Sequence, residues 1–161
     1  MSLAMERSPE TFSRLGEEQI RDFFIIVPNS YYEGEATGET FNSKGKTDIL
    51  IRHEDRNAFI AECKIWRGER NLSSTIDQIL RYTSWRDTKT AIFVFNRSKN
   101  LSRILGKIDR VVGSHKFHKG KHGLTSEKLR NETTFSYVFH QPHDVNREIL
   151  LTAMVFHIPE Q

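Results

Sequence analysis

The chain has 161 residues and a formal net charge of +3, and its 37% hydrophobic and 28% charged residues predict one globular domain with a sizeable core. Its longest strongly apolar stretches, residues 23–27 and 149–158, are far shorter than the ~20 residues of a membrane-spanning helix, and residues 1–5 lack the pattern of a signal peptide. Cys63 is the only cysteine, which excludes a disulfide framework and favours a cytoplasmic location.

The first predicted element is a helix that begins at Ser8 and ends at Pro28. Ser8 is a favoured N-cap residue, Pro9 suits the first helical position, and Glu10 places an acid in the first turn. An apolar stripe follows at helical spacing: Phe12, Leu15, Ile20, Phe23 and Val27. This stripe is expected to pack on the rest of the domain.

The later predicted elements, in chain order, are three strands (residues 31–41, 46–53 and 58–66), a helix (73–85), a strand (90–96), a helix (101–112) and two strands (133–140 and 147–157). Ser73 or Ser74 is expected to cap the second helix, and residues 113–131 are expected to form a loop. A hairpin followed by a strand–helix–strand unit implies an α/β fold (an α+β mixed sheet) with helices on the faces of the sheet. Its parallel connection should be a right-handed crossover.

Positive charge is concentrated in one segment. Residues 97–130 contain ten Lys or Arg and two acids, a balance of +8, so the remainder carries −5. This segment is predicted to contact nucleic-acid phosphates, although a solvated helix and loop would have the same charge. The candidate phosphate-binding residues are Lys116, Lys119 and Lys121. Trp66 and Trp85 are expected near the site, where they either stack on bases or pack in the core.

Two apolar strands of the predicted hairpin carry charged residues. A turn at residues 54–57 places Asp48 roughly opposite Glu62, and Lys64 shares a face with Glu62 because it lies two positions further along the strand. Charges are rarely found in such apolar surroundings unless they are paired or bind a metal. The hairpin is therefore the candidate active site.

Two converging carboxylates supply the hard oxygen ligands that Mg²⁺ prefers, and Mn²⁺ can substitute for it. Asp48 and Glu62 are the predicted metal ligands, with the backbone carbonyl of Cys63 as a third. A divalent ion neutralises phosphate oxygens and lowers the pKa of its bound water. Lys64 is predicted to orient or deprotonate that water, because a lysine beside a cation loses its proton readily.

The motif Asp48, thirteen intervening residues, then Glu62-Cys63-Lys64 resembles that of the PD-(D/E)XK nuclease superfamily, which has the restriction-endonuclease-like fold. The segment from Gln78 to Tyr82 matches the Gln-x-x-x-Tyr pattern of its RecB-like branch, and the predicted αβββαβ order over about residues 9–96 matches the family core. Thr47 stands where the family motif often has proline. The resemblance implies a Mg²⁺-dependent endo- or exodeoxyribonuclease in host defence or DNA processing, with residues 97–158 added to its core.

The resemblance also implies supporting residues around the metal. An acid on the first helix often completes such sites, and Glu17 is preferred to Glu18 because it lies at the edge of the apolar stripe. Gln78 would bond the lysine, the water or a phosphate. Tyr82 is assigned to nucleic-acid binding, with packing or orientation of Gln78 as the alternative.

Two other functions remain open at this point. The first is a module that has a nuclease fold and binds nucleic acid without cutting it. The second is a junction resolvase, which would require a homodimer that presents two sites at a fixed separation. The chain could also belong to a larger protein with further domains.

Overall fold

The structure, a computed structural model, describes residues 2–29, 36–42, 45–53, 56–122 and 133–159. The helices in these ranges are α1 (Ser2–Arg7), α2 (Pro9–Phe12), α3 (Glu17–Asn29), α4 (Glu69–Tyr82) and α5 (Leu101–Gly113). The strands are β1 (Ala36–Asn42), β2 (Gly45–His53), β3 (Arg56–Ile65), β4 (Lys89–Asn96), β5 (His118–Lys121), β6 (Thr134–Gln141) and β7 (Asp144–His157). No helix among the described residues is long and apolar enough to cross a membrane.

The strands form one mixed sheet in the order β1-β2-β3-β4-β7-β6-β5. The three central strands, β3, β4 and β7, run parallel, whereas β1 with β2, β2 with β3, β6 with β7 and β5 with β6 are antiparallel. The helix α4 connects the parallel neighbours β3 and β4. The predicted mixed sheet with helices on its faces is therefore confirmed.

Side chains of β2 and of the central strands alternate between two hydrophobic cores, one on each face of the sheet. Leu50 and Ile60 belong to the core that α4 and α5 cover. Ile49 and Ala61 belong to the opposite core, where α1 and α3 contribute Met5 and other buried residues. The strand β4 is buried on both faces along nearly its whole length, as expected for a nearly continuous apolar run.

The predicted N-terminal helix is wrong in extent, because the structure divides it into α2 and α3. Residues 13–16 separate the two helices. Gln19 Oε1 accepts a 2.7 Å hydrogen bond from the Gly16 N–H, and this side-chain cap starts α3 at Glu17. The acidic side chains of Glu17 and Glu18 occupy the first turn, where the helix dipole favours negative charge.

The division also changes which residues face the core. Ile20 is fully buried, and Phe24, four residues later, packs its ring against Phe93 and Phe156. Phe23, which the predicted stripe placed inside, is 42% exposed. Because the chain turns before Glu17, the apolar spacing of α2 does not continue in phase through α3.

The start of α4 also differs from the prediction. The helix begins at Glu69, directly after Gly68, so Ser73 and Ser74 lie inside it rather than at its cap. Gly68 has a φ of 109°, a conformation that glycine adopts without strain. The helix ends at Tyr82, where the extended backbone of Thr83 leads toward β4.

The C-terminal third contains one strand that the sequence did not predict. Residues 118–121, expected in a loop, form β5 and pair with β6 at the edge of the sheet. The predicted helix over residues 101–112 corresponds to α5, which the Asn100 side chain caps by accepting the Arg103 N–H. The rest of the predicted loop, from residue 123, and residues 31–35 of the first predicted strand lie outside the described residues.

Candidate active site

The site lies where β2 and β3 stop pairing through their backbones. The register between these strands pairs Ile49 with Ala61, so the next residues, Asp48 and Glu62, face the same side of the sheet. Beyond that pair, the hydrogen bonds between the two strands are made by side chains to backbone groups, rather than between backbone groups. Thr47 Oγ1, fully buried, donates to the Ala61 carbonyl at 3.2 Å, which holds the two strands together where the ladder ends.

Asp48 is fixed by an amide of the neighbouring strand. Its Oδ2 accepts a 2.8 Å hydrogen bond from the Cys63 N–H. In a strand, the N–H and C=O of one residue point to the same side, so the Cys63 carbonyl also faces the gap between β2 and β3. The predicted third ligand therefore lies on the same strand edge as the Asp48 carboxylate.

Glu17 belongs to α3, which packs on the face of the sheet opposite to α4, and its carboxylate reaches the same edge of β3 as Asp48. Its Oε1 accepts a 3.2 Å hydrogen bond from the Ile65 N–H, two residues beyond the amide that Asp48 binds. Successive outward amides of β3 thus fix two carboxylates side by side. Glu17, rather than the exposed Glu18, is the acid of α3 that enters the site.

Lys64 lies between these acids and Glu62. Its Nζ is 3.5 Å from Asp48 Oδ2, 3.5 Å from Glu62 Oε2 and 3.9 Å from Glu17 Oε2. The lysine side chain is only 21% exposed, so solvent screens these interactions incompletely. The structure thus brings together the four charged residues that the sequence proposed for the centre.

Glu62 is the most enclosed of the carboxylates, with a side chain that is 1% exposed. Gln78 Nε2, on α4, donates a 2.9 Å hydrogen bond to its Oε2. Its Oε1 is buried and has no hydrogen-bond partner among the described residues. Burial, with the neighbouring charge of Asp48, raises the pKa of Glu62 to about 8 against the opposing effect of Lys64.

Lys64 experiences opposing effects as well. Burial lowers the pKa of its ammonium, but the carboxylates of Asp48, Glu62 and Glu17 outweigh that effect and raise the pKa above its ordinary value. The lysine is therefore held in its charged form. The site gathers two groups whose pKa values both rise, a carboxyl that retains its proton and a lysine that retains its charge.

The residues present fit a divalent metal ion in their chemistry. They offer carboxylate oxygens from three chain segments, and the Oε1 of Glu62, which is buried and has no hydrogen-bond partner among the described residues, would gain a partner in a bound cation. The described residues contain no group of three or more His, Cys, Asp or Glu arranged to hold an ion. The Lys64 ammonium supplies the positive charge among the carboxylates, since its Nζ is within 4 Å of all three.

Two of the three candidate lysines lie apart from this centre, and Tyr82 lies on the helix that carries Gln78. Tyr82, half-buried, ends α4 one helical turn beyond Gln78. Lys119 and Lys121 lie on β5, which is four strands and roughly 19 Å from β3 across the sheet. Each of the three lysines contacts an acid: Lys116 with Asp77 at 3.5 Å, Lys119 with Glu148 at 2.7 Å and Lys121 with Asp109 at 2.9 Å.

The two tryptophans have different surroundings. Trp66 is partly buried and packs against the core under α4. Trp85 is 59% exposed, but it precedes β4 and so lies at the opposite end of the sheet from the carboxylates. Its Nε1 donates to Asp144 at 3.0 Å, and Arg147 stacks on its ring. The expectation that Trp85 lies near the site was wrong, because α4 carries the chain back along the sheet.

Sequence reasoning missed the contributions of Thr47 and Arg97. Thr47 precedes the first acid of the motif, and its contact with β3 depends on a register that only the fold establishes. Arg97 directly follows β4, as Arg67 follows β3, and the two arginines line one cleft beside Glu17. The parallel pairing of these strands could have indicated that residues just after each strand meet at one edge.

Comparison with protein-family models gives no match, and searches of curated proteins and of solved structures give none either. The class of site therefore rests on its geometry. That geometry is a cluster of three carboxylates, a lysine and a glutamine at the ends of two strands.

Proposed function

We propose that this chain is a PD-(D/E)XK-type nuclease that hydrolyses phosphodiester bonds in DNA with Mg²⁺, for which Mn²⁺ can substitute. The observation that carries the proposal is the convergence of Asp48, Glu62 and Glu17 on Lys64 at the end of a buried strand. In a solvated hairpin, the Glu62 side chain would not be 1% exposed, and its Oε1 would not be buried without a hydrogen-bond partner. Phosphodiester hydrolysis requires such a combination, because charge must be stabilised and water activated at one point.

Asp48 and Glu62 are the residues proposed to hold the metal, with the Cys63 carbonyl beside them. When bound, the ion would neutralise phosphate oxygens and lower the pKa of its water. The hydrogen bond from the Cys63 N–H orients Asp48 before any ligand arrives. The hydrogen bond from Gln78 likewise fixes Glu62, so the two carboxylates need little rearrangement.

Lys64 is proposed to position the attacking water and to stabilise the negative charge that develops on the phosphate. Its raised pKa makes it an ammonium in the metal-free site, where the acids stabilise it. Additional positive charge near Lys64 would lower that pKa, so the ammonium could lose a proton to solvent and the neutral amine could then accept one from the attacking water. Glu17 contacts both Lys64 and the Ile65 amide and so keeps the lysine at the strand end.

A nuclease of this kind would act in the cytoplasm on DNA, in host defence or DNA processing. The basic segment of residues 97–130 would supply additional phosphate contacts.

The direct test incubates the wild-type chain with plasmid, linear duplex and single-stranded DNA in Mg²⁺, Mn²⁺ or EDTA. We expect cleavage in both metals and none in EDTA. Lys64→Ala should abolish most of it, whereas Lys89→Ala should not, because Lys89 is an exposed lysine at the far end of the neighbouring strand. DNA binding without metal-dependent cleavage of any substrate would instead favour the non-cleaving module.

A further inference from the structure

A second feature lies beside the carboxylate centre. A cleft of about 560 Å³ opens between the start of α3 and the ends of β3 and β4. Its lining residues are Gly16, Glu17, Glu18, Gln19, Ile65, Arg67 and Arg97. Glu17 and Ile65 belong both to the cleft and to the carboxylate centre, so a molecule at that centre extends naturally into the cleft.

Two arginines converge on this cleft from adjacent parallel strands. Arg67 comes two residues after the end of β3, and Arg97 comes directly after the end of β4. Arg97 donates from its Nη2 to the Leu15 carbonyl, which ties it to the turn before α3. Arg67 is 70% exposed and touches Glu17 only at 3.9 Å, so its guanidinium can bind another group at small cost.

The guanidinium of Arg67 suits an anion at this edge of the sheet. Its contact with Glu17 is long and largely exposed to solvent, so Arg67 can exchange Glu17 for another acidic group without any metal. The planar fork of the guanidinium matches the oxygens of a phosphate. Consecutive phosphates of a DNA strand are close together. When one phosphate lies at Lys64, a neighbouring phosphate of the same DNA strand can therefore lie in the cleft.

We infer that this cleft is a phosphate subsite, in which Arg67 binds the backbone phosphate adjacent to the one that is cut. The inference rests on the proposed nuclease function and deepens it, since it assigns the DNA strand a path from Lys64 toward the ends of β3 and β4. Arg97 acts as a positioning residue, because its bond to Leu15 fixes one wall of the cleft. Such a contact adds affinity without reading sequence.

The test measures binding of a labelled duplex in EDTA, where no cleavage occurs, for the wild type, Arg67→Ala, Arg67→Lys and Arg86→Ala. Arg86 is the matched control because it is exposed and precedes β4, while Arg97 follows it; the strand between them spans roughly 26 Å. Arg67→Ala should weaken binding about 10-fold, the scale of one charge-assisted hydrogen bond. It should also reduce the salt slope by about 0.9. Arg67→Lys should recover most of the slope, and Arg86→Ala should match the wild type.

Unchanged affinity and slope in Arg67→Ala would overturn the subsite. So would an equal loss in Arg86→Ala, which would indicate a diffuse effect of net charge. Cleavage by the wild type separates this inference from the proposed function. If the wild type cuts but Arg67→Ala binds normally, the subsite fails and the nuclease stands. If Arg67→Ala alone loses affinity and the wild type never cuts, the nuclease fails and the phosphate subsite stands. A wild-type chain that binds no DNA contradicts both.

Discussion

Gln78 donates a 2.9 Å hydrogen bond to Glu62, and this contact joins α4 to the buried carboxylate of β3. It occupies Oε2 of Glu62 while Oε1 has no partner among the described residues. Gln78 therefore determines the rotation of the carboxyl group and which oxygen it leaves available. The Gln-x-x-x-Tyr pattern of α4 and the Glu-x-Lys motif of β3, which are separate in the sequence, are thus in direct contact in the structure.

Gln78→Ala should reduce cleavage by about 10-fold to 100-fold, the effect of losing a residue that orients a metal ligand. The expected cause is a Glu62 carboxyl that rotates freely, so Gln78→Glu, which cannot donate from an ionised carboxylate, should be at least as damaging. Single-turnover cleavage at saturating Mg²⁺ measures the effect. Asp77→Ala is the neighbouring control, since Asp77 contacts His115 and Lys116 rather than the site. Full activity of Gln78→Ala would assign the glutamine a purely structural role.

The raised pKa of Glu62 predicts how stability depends on pH. Because the folded-state pKa of about 8 lies above the ordinary value of 4.5, folding favours the protonated form. Stability from this group is fully present below about pH 4.5 and is lost as pH rises through about 8. Glu62→Gln removes that loss, so it should be more stable than the wild type at pH 8 by on the order of 2–4 kcal/mol in EDTA.

Urea unfolding at pH 5 and pH 8 checks this prediction. The difference between Glu62→Gln and the wild type should grow from pH 5 to pH 8, and the exposed control Glu10→Gln should show no such growth. A Glu62→Gln variant that is equally destabilised at both pH values would contradict a proton-bearing Glu62.

Mg²⁺ should raise the melting temperature of the wild type, because a ligand that binds only the folded chain stabilises it. Asp48→Asn should eliminate most of this shift, since an amide is a weaker ligand, yet it retains an oxygen that can accept the Cys63 N–H. Thermal melts with Mg²⁺ or EDTA measure both effects. Equal Mg²⁺ shifts in the wild type and Asp48→Asn would place the ion elsewhere.

The two acids at the start of α3 form a matched pair. Glu17→Gln should lower the cleavage rate at saturating DNA by about 10-fold or more, because Glu17 contacts Lys64 and the Ile65 amide. Glu18→Gln should retain that rate, since Glu18 is exposed in the same helical turn. The reverse result would mean that α3 presents its other acid to the substrate.

The basic segment gives a separate prediction. Joint replacement of Lys116, Lys119 and Lys121 by alanine should weaken binding to all DNA sequences and reduce the salt slope by about 0.9 for each phosphate that the variant no longer binds. These lysines form ion pairs with Asp77, Glu148 and Asp109, which must break before the lysines bind DNA. The reduction in salt slope should therefore be smaller than the reduction expected if each of the three lysines bound one phosphate. An unchanged slope in salt titrations would place this segment outside the interface.

The central sheet and the carboxylate pair could be predicted from sequence because both depend on local patterns. The apolar run of β4 and the alternation in β2 and β3 specify buried strands, and the turn predicted at residues 54–57 places Asp48 roughly opposite Glu62, although the alternation does not specify the register shift between Ile51 and Arg52. The hairpin brings Asp48 beside Glu62. The position of Lys64 then follows from its spacing to Glu62 on one strand.

Other features depend on contacts between distant segments. The break before α3 rests on the Gly16–Gln19 cap, which the continuous apolar spacing from Phe12 conceals. The edge strand β5 is rich in lysine and glycine and forms because β6 offers a partner. Arg67 and Arg97 line one cleft because β3 and β4 are parallel neighbours; the strand–helix–strand pattern predicts that pairing, but the side chains that line the cleft depend on the position of α3 as well.

Nicking of supercoiled plasmid in Mg²⁺ by the wild type, Lys64→Ala and Lys89→Ala shows most directly whether the carboxylate cluster is an active site. Lys64 is the group on which all three carboxylates converge, and Lys89 is an exposed lysine at the other end of the sheet. We predict that the wild type and Lys89→Ala nick the plasmid in Mg²⁺ and not in EDTA, and that Lys64→Ala is slower by on the order of 10²-fold or more. Equal rates for Lys64→Ala and the wild type, or nicking that persists in EDTA, would contradict a metal-dependent nuclease centred on Lys64.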